Sequence, residues 1–194
     1  RKPVSPWSAI YRPDTVLRDL WQISKYVNLC KFQASYQNID MVNPAMSNAK
    51  YYTHAYCFAI TMMGTPLFFL ETKYLSESAK TELRPVIKAY KAVRKNIFNG
   101  ITYPIGNKPD DASWTGFQNH NHQSGDGYLT VFRELNNEKS EASLVLRYLS
   151  PGPELKLINQ LTNEEQVLRL SANGEISLKI SEAPGFLFLK YETS

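Results

Sequence analysis

Cysteine is scarce in this sequence, with two thiols, Cys30 and Cys57, in 194 residues. Both lie among apolar neighbours and read as buried free thiols, which excludes a disulfide framework; two cysteines set no compartment. Charge of one sign is scarce too. The 22 basic and 18 acidic side chains leave a net charge of +4, and no run of five basic residues occurs, so nothing points to nucleic acid. Long apolar runs are missing. The longest uncharged stretch, residues 51–70, has the length of a membrane span, but Gly64, Thr65 and Pro66 would end a helix in its middle, so no membrane partner is expected. No apolar leader follows Arg1, Lys2 and Pro3 and no initiator Met precedes them, so the sequence reads as a piece of something longer. Repeats, low-complexity tracts, Gly-rich phosphate loops, Ser or Cys nucleophile motifs and zinc knuckles are all lacking, and no cofactor is expected.

What is present is a folding composition, 43% hydrophobic and 21% charged, on a length that allows one domain or two small ones. A chain of this size buries roughly 70% of its unfolded surface. In residues 14–28, Val16, Leu17, Leu20, Ile23 and Val27 recur at three- and four-residue steps, predicting a helix with Asp14 as its N-cap. Residues 30–36 alternate and predict a strand, and 37–48 have loop composition. Residues 51–63 predict a buried helix stopped at Gly64, and 67–70 a parallel strand covered on both faces. Ser76 opens the strongest helix, with Ala79, Leu83, Val86, Ile87, Tyr90, Val93 and Ile97 on one stripe, a kink or restart at Pro85, and an end at Asn99-Gly100. This is βα-unit grammar with only two strands.

Beyond Gly127 the pattern changes. Residues 128–134, 142–149, 154–158, 167–170, 176–180 and 186–191 read as six short strands separated by turn residues such as Asn173-Gly174 and Pro184-Gly185. That rhythm predicts an antiparallel sandwich or barrel, so the fold class is α+β. The sandwich half is expected to fold alone, whereas two parallel strands without neighbours leave open ladder edges.

Four constellations could carry chemistry. His120 and His122 stand two apart near Asp126; on a strand they would share a face and could hold a metal, but a third ligand is lacking and residues 118–123 have loop composition. Asp110, Asp111 and Asp126 could pair as acid and base, but turn formation explains all three without catalysis and is the favoured reading. Asn38, Asp40 and Glu71 fall at or just past the C-terminal ends of the parallel strands, where α/β barrels place ligand-binding groups; a solvated loop for Asp40 and a helix cap for Glu71 are the plainer alternatives. Trp114, with Tyr103, Phe117 and Tyr128, brackets a polar stretch and could stack on a sugar ring if exposed, or pack at a junction.

The segments Asp19-Leu20-Trp21-Gln22-Ile23-Ser24, Phe32-Gln33 to Asn38, and Phe58 through Phe68 come in the order of the last two units of a (β/α)8 barrel. Tyr103-Pro104-Ile105-Gly106, residues 113–118 and residues 127–136 follow as the entry to a β-sandwich. In this order they resemble the C-terminal part of a retaining α-galactosidase-like glycoside hydrolase, the melibiase group of families 27 and 36. The resemblance implies the end of a catalytic barrel over residues 1–100 and an all-β sandwich over 101–194. It also implies carbohydrate as ligand, with Asp40 and Glu71 resembling subsite-lining positions; Asn38, from its strand-end place, and Trp114, from its aromatic surroundings, complete the expected substrate-binding residues. In such enzymes the nucleophile and acid/base are aspartates on earlier barrel strands, which have no match here, so no catalytic residue carries over. A retaining glycosidase needs two carboxyl groups about 5–5.5 Å apart. The expected partner is therefore the missing N-terminal barrel portion, in cis or as a second chain. A non-catalytic carbohydrate-binding or scaffolding β-domain, and a small independent enzyme using Asp40, Glu71 or the His pair, are the competing readings.

Overall fold

The computed structural model describes residues 10–69, 72–149, 152 and 154–193. Helix α1 spans Pro13–Ile23. Its N-cap is Arg12 and not Asp14, because the fixed φ of Pro13 and its missing N–H suit the first helical position. Asp14 sits instead in the first turn, paired with Arg12 at 2.9 Å, where a carboxylate complements the helix dipole. Leu17, Leu20 and Trp21 form the buried stripe.

Strand β1 is Gln33–Tyr36, entered through a 3-10 turn at Leu29–Lys31. Helix α2, His54–Ala59, begins at Thr53, whose hydroxyl accepts the Tyr56 N–H, and is shorter than the pattern suggested. Strand β2, Thr65–Phe68, lies parallel to β1 in the register Gln33↔Thr65 to Tyr36↔Phe68. No third strand joins this pair among the described residues. Phe68 and Phe69 are consequently 39% and 38% exposed, so the expected cover on both faces is absent. Helix α3, Glu77–Asn99, is capped by Ser76, which accepts the Ala79 N–H, and stops at Gly100. It runs through Pro85 without restarting. The proline is exposed, so the carbonyl that loses its partner faces water.

The remaining elements are β3 Ile101–Gly106, β4 Trp114–His120, β5 Gly127–Arg133, β6 Glu141–Val145, β7 Glu154–Asn159, β8 Glu165–Arg169, β9 Glu175–Lys179 and β10 Gly185–Thr193. Six of them form an antiparallel sheet in the order β3-β4-β5-β10-β7-β8, and β6 and β9 pair as a separate ribbon. Strands β3 and β4 were not foreseen. The architecture is mostly antiparallel β with few helices, and the barrel-end portion expected over residues 1–100 is not evident in it.

Alternation along the central strands builds two cores. On β5, Tyr128 and Phe132 point to one side and Leu129 and Val131 to the other; on β10, Phe188 opposes Leu189. The aromatic side packs on the helices, where Tyr56 meets Phe132 with ring centroids 5.2 Å apart. The aliphatic side packs on Leu144, Ile176 and Leu178 of the β6–β9 ribbon. The first core therefore holds side chains from both sides of residue 100. Polar ties cross the same boundary: the Trp21 indole donates to the Ile105 carbonyl at 3.1 Å, and the Asn96 amide donates to the Tyr128 hydroxyl at 3.2 Å. Both cysteines are free, Cys57 buried and Cys30 partly so. No helix among the described residues is long and apolar enough to cross a membrane.

Candidate functional site

At the C-terminal end of β1 the chain turns sharply through a 3-10 turn, Ile39–Met41. Asn38 caps that turn, its side-chain oxygen accepting the Asp40 N–H at 3.1 Å, and is fully buried. It lies beneath the surface, directly under Asp40. Asp40 emerges above it with its side chain 45% exposed. One carboxylate oxygen lies 3.2 Å from His54 Nε2, and the other accepts from the Ser76 hydroxyl at 3.1 Å. The second ring nitrogen of His54 is 2.6 Å from the hydroxyl of Tyr36, the last residue of β1.

These distances form a hydroxyl–imidazole–carboxylate chain. It is satisfied by the tautomer in which Tyr36 donates to Nδ1 and Nε2–H donates to Asp40. Burial pushes the Tyr36 hydroxyl well above its ordinary pKa, with nearby Cys57, Asp40 and Glu82 adding to the effect, so it stays protonated as donor. Glu82 on α3 completes the frame by accepting the His54 backbone N–H at 2.8 Å. Asp40, His54, Glu82, Lys50 and Tyr52 line an open cleft of about 540 Å³. Chemically this is an oriented carboxylate that can accept hydrogen bonds from a polyhydroxylated ligand. His54 and Glu82 were missed in the sequence because one sits inside an apolar run and the other within an amphipathic helix pattern. Glu71 lies outside the described residues.

Trp114 departs from expectation. It is 5% exposed, packs in the second core, and donates its indole N–H to the Lys139 carbonyl at 2.8 Å. The ring has no free face for a sugar, because β4 is covered on both sides. The aspartates of the following loop serve the loop's own structure, in line with the turn reading. Asp110 accepts from Ser113 Oγ and the Ala112 N–H, which closes a turn and holds its carboxyl below the usual range. Asp111, in a left-handed backbone with φ 74°, accepts from the Tyr52 hydroxyl at 3.1 Å and from Asn136. The buried Glu134, unseen in the sequence, gathers this loop by accepting the N–H groups of Asp110 and Ser113 at 3.0 and 2.9 Å. Burial pushes its carboxyl above the ordinary value despite those bonds.

The two histidines are likewise occupied singly. His120 Nδ1 meets the Tyr191 hydroxyl at 2.7 Å, and His122 Nε2 meets the Tyr103 hydroxyl at 3.0 Å. Desolvation lowers the His120 pKa, and the neighbouring His122 adds to it. No group of three or more metal-ligating side chains occurs among the described residues.

No family model and no curated protein matches this chain. Solved structures do. The galactosidase domain of the α-galactosidase–sucrose kinase AgaSK superposes over 94% of this chain with a TM-score of 0.71 at 16% identity. A variant of the family 36 α-galactosidase AgaA from Geobacillus stearothermophilus, in complex with raffinose, covers 94% with a TM-score of 0.72 at 13% identity. AgaB of the same organism covers 83% with a TM-score of 0.60 at 15% identity. The likeness is one of fold, and it matches the resemblance to the C-terminal part of such enzymes read from the sequence. This chain spans about a quarter of the length of the first two, 25% and 24%.

Proposed function

We propose that this chain serves as the C-terminal portion of a retaining, α-galactosidase-like glycoside hydrolase. It contributes a pocket wall and a β-sandwich, while the catalytic aspartates come from a barrel segment supplied in cis or as a second chain. In this reading β1–α2–β2–α3 is the end of the barrel, residues 1–100, and residues 101–194 are the sandwich. The observation that carries it is Asp40. It stands just past the C-terminal end of a parallel strand, held by His54 and Ser76 over an open cleft, in a fold shared with α-galactosidases.

Within the described cleft, Asp40 acts as a hydrogen-bond acceptor for a sugar hydroxyl and Asn38 positions it from below; Glu71, outside the described residues, is kept as a binding residue on the sequence resemblance alone. None of the three is the nucleophile or the acid/base. Glycoside cleavage needs one ionised and one protonated carboxyl facing each other across the bond.

The test is turnover of nitrophenyl α-galactoside by the chain alone and after addition of the complementary barrel segment. The expected result is no turnover alone and activity on complementation, with Asp40→Asn raising KM more than it lowers kcat. Clear turnover by the isolated chain, abolished by Asp40→Asn, would overturn the reading in favour of a small independent enzyme.

A further inference from the structure

A second open cleft, of about 370 Å³, lies where the turn after α1 meets β3 and the corner after β6. That volume falls in the roughly 300–1,000 Å³ range of small-ligand sites. Three tyrosines, Tyr26, Tyr103 and Tyr148, line it together with Lys25 and Arg147, and no acidic residue does. Tyr26 is 86% exposed and Tyr148 59%. The Tyr148 ring lies 4.9 Å from that of Tyr103 and stacks on His120 at 5.8 Å with planes 21° apart.

Both walls are fastened from inside. The fully buried Gln118 brackets Arg147, accepting its backbone N–H at 2.8 Å and donating to its carbonyl at 2.9 Å. On the facing wall Asn28 donates to the Gly100 carbonyl at 3.1 Å and accepts the Thr102 N–H at 3.2 Å. The held corner places Tyr148 at φ 60°, a left-handed conformation that bulky residues avoid. Strain of this kind persists only where the surroundings impose it. A buried amide thus spends both hydrogen-bonding ends on presenting one tyrosine and one arginine to solvent. Lys25 is exposed with its ammonium 4.3 Å from the Trp21 ring, and no acidic side chain among the described residues pairs with Lys25 or Arg147.

We propose that this cleft is a binding site for an anionic saccharide, whose ring stacks on the tyrosines and whose carboxylate or sulfate pairs with Arg147 and Lys25. The aromatic faces match the apolar face of a sugar ring. The two unmatched cations match a negative substituent, and arginine takes carboxylate and sulfate oxygens in a two-pronged geometry. This site is separate from the Asp40 cleft and is argued independently of the glycosidase reading, from which only the choice of galactose-based probes is taken.

The test is calorimetric titration of the whole chain with three probes: an oligogalacturonate, a sulfated galactan oligosaccharide and neutral galactotriose. One anionic probe or both should bind at least tenfold tighter than the neutral one, and which of them binds identifies the substituent. Tyr148→Asn removes the ring while leaving a residue that tolerates the left-handed backbone, so the fold is retained; it should weaken binding at least tenfold. Arg147→Gln should do the same, whereas Arg94→Gln on α3 should not. Absence of binding to both anionic probes, equal binding of galactotriose, or unchanged affinity in Tyr148→Asn and Arg147→Gln would each overturn the proposal.

Discussion

Cutting the chain at Gly100 tests the shared core most directly. In the whole protein Phe117, Phe132 and Phe188 are 0% exposed and Tyr128 is 3% exposed, all on the sheet face that packs against the helices. Residues 101–194 alone would return that face to water. A buried aromatic side chain covers roughly 150–250 Å². If about half of each is covered from the helical side, four of them expose on the order of 400 Å². At about 25 cal/mol per Å² this costs about 10 kcal/mol, comparable with the roughly 5–15 kcal/mol that holds a whole domain together. The ties from Trp21 and Asn96 are lost as well. The expected result is a fragment that binds an apolar dye, lacks near-ultraviolet dichroism and shows no cooperative melt, in contrast to the sequence-based expectation of an autonomous sandwich. A monomeric fragment that melts cooperatively within a few degrees of the whole chain would refute the argument.

Other perturbations have equally definite outcomes. Glu134→Ala should destabilise by about 2–5 kcal/mol in a denaturant titration, since two backbone N–H groups lose a charged acceptor. Because burial raises its folded-state pKa, the stability Glu134 contributes is full below its unfolded value and declines as pH rises through the folded one; Glu134→Gln should therefore flatten that acid-side slope. Tyr36→Phe should cost about 1–3 kcal/mol by leaving a ring nitrogen of the buried His54 unpaired, measured as a drop in melting temperature. Gly127→Ala places a Cβ 2.0 Å from the Asn119 carbonyl and 2.5 Å from the Tyr191 hydroxyl, so the β4–β5 pairing must shift; a loss of about 3 kcal/mol is expected at the unfolding midpoint.

Elements with one wet face were legible from the sequence. Ser76 and the stripe ending at Ile97 announced α3, and Ile176, Leu178 alternating with Ser177, Lys179 announced β9, because in each the buried side is also the apolar side. Strand β4 was illegible for the opposite reason. It is buried throughout, yet carries Gln118, Asn119 and His120, whose amide and ring nitrogens hydrogen-bond to Arg147, Thr102, Ile97 and Tyr191 rather than to water. Only the folded chain brings those partners within reach. The same holds for the candidate site. Asp40 could be read from its place after a strand, but the imidazole that holds it comes from the start of α2, 14 positions along the chain, and is itself held by the Tyr36 hydroxyl at the end of β1, a meeting that no local pattern encodes.

The two buried tryptophans give the fold built-in optical reporters. Trp21 sits in the helix-side core with its N–H on Ile105, and Trp114 sits in the ribbon-side core with its N–H on Lys139. Replacing either, together with Trp7, by phenylalanine leaves a single emitter on a known side of the sheet. Its wavelength then times the drying of that side during refolding, so the order in which the two faces close becomes a fluorescence measurement.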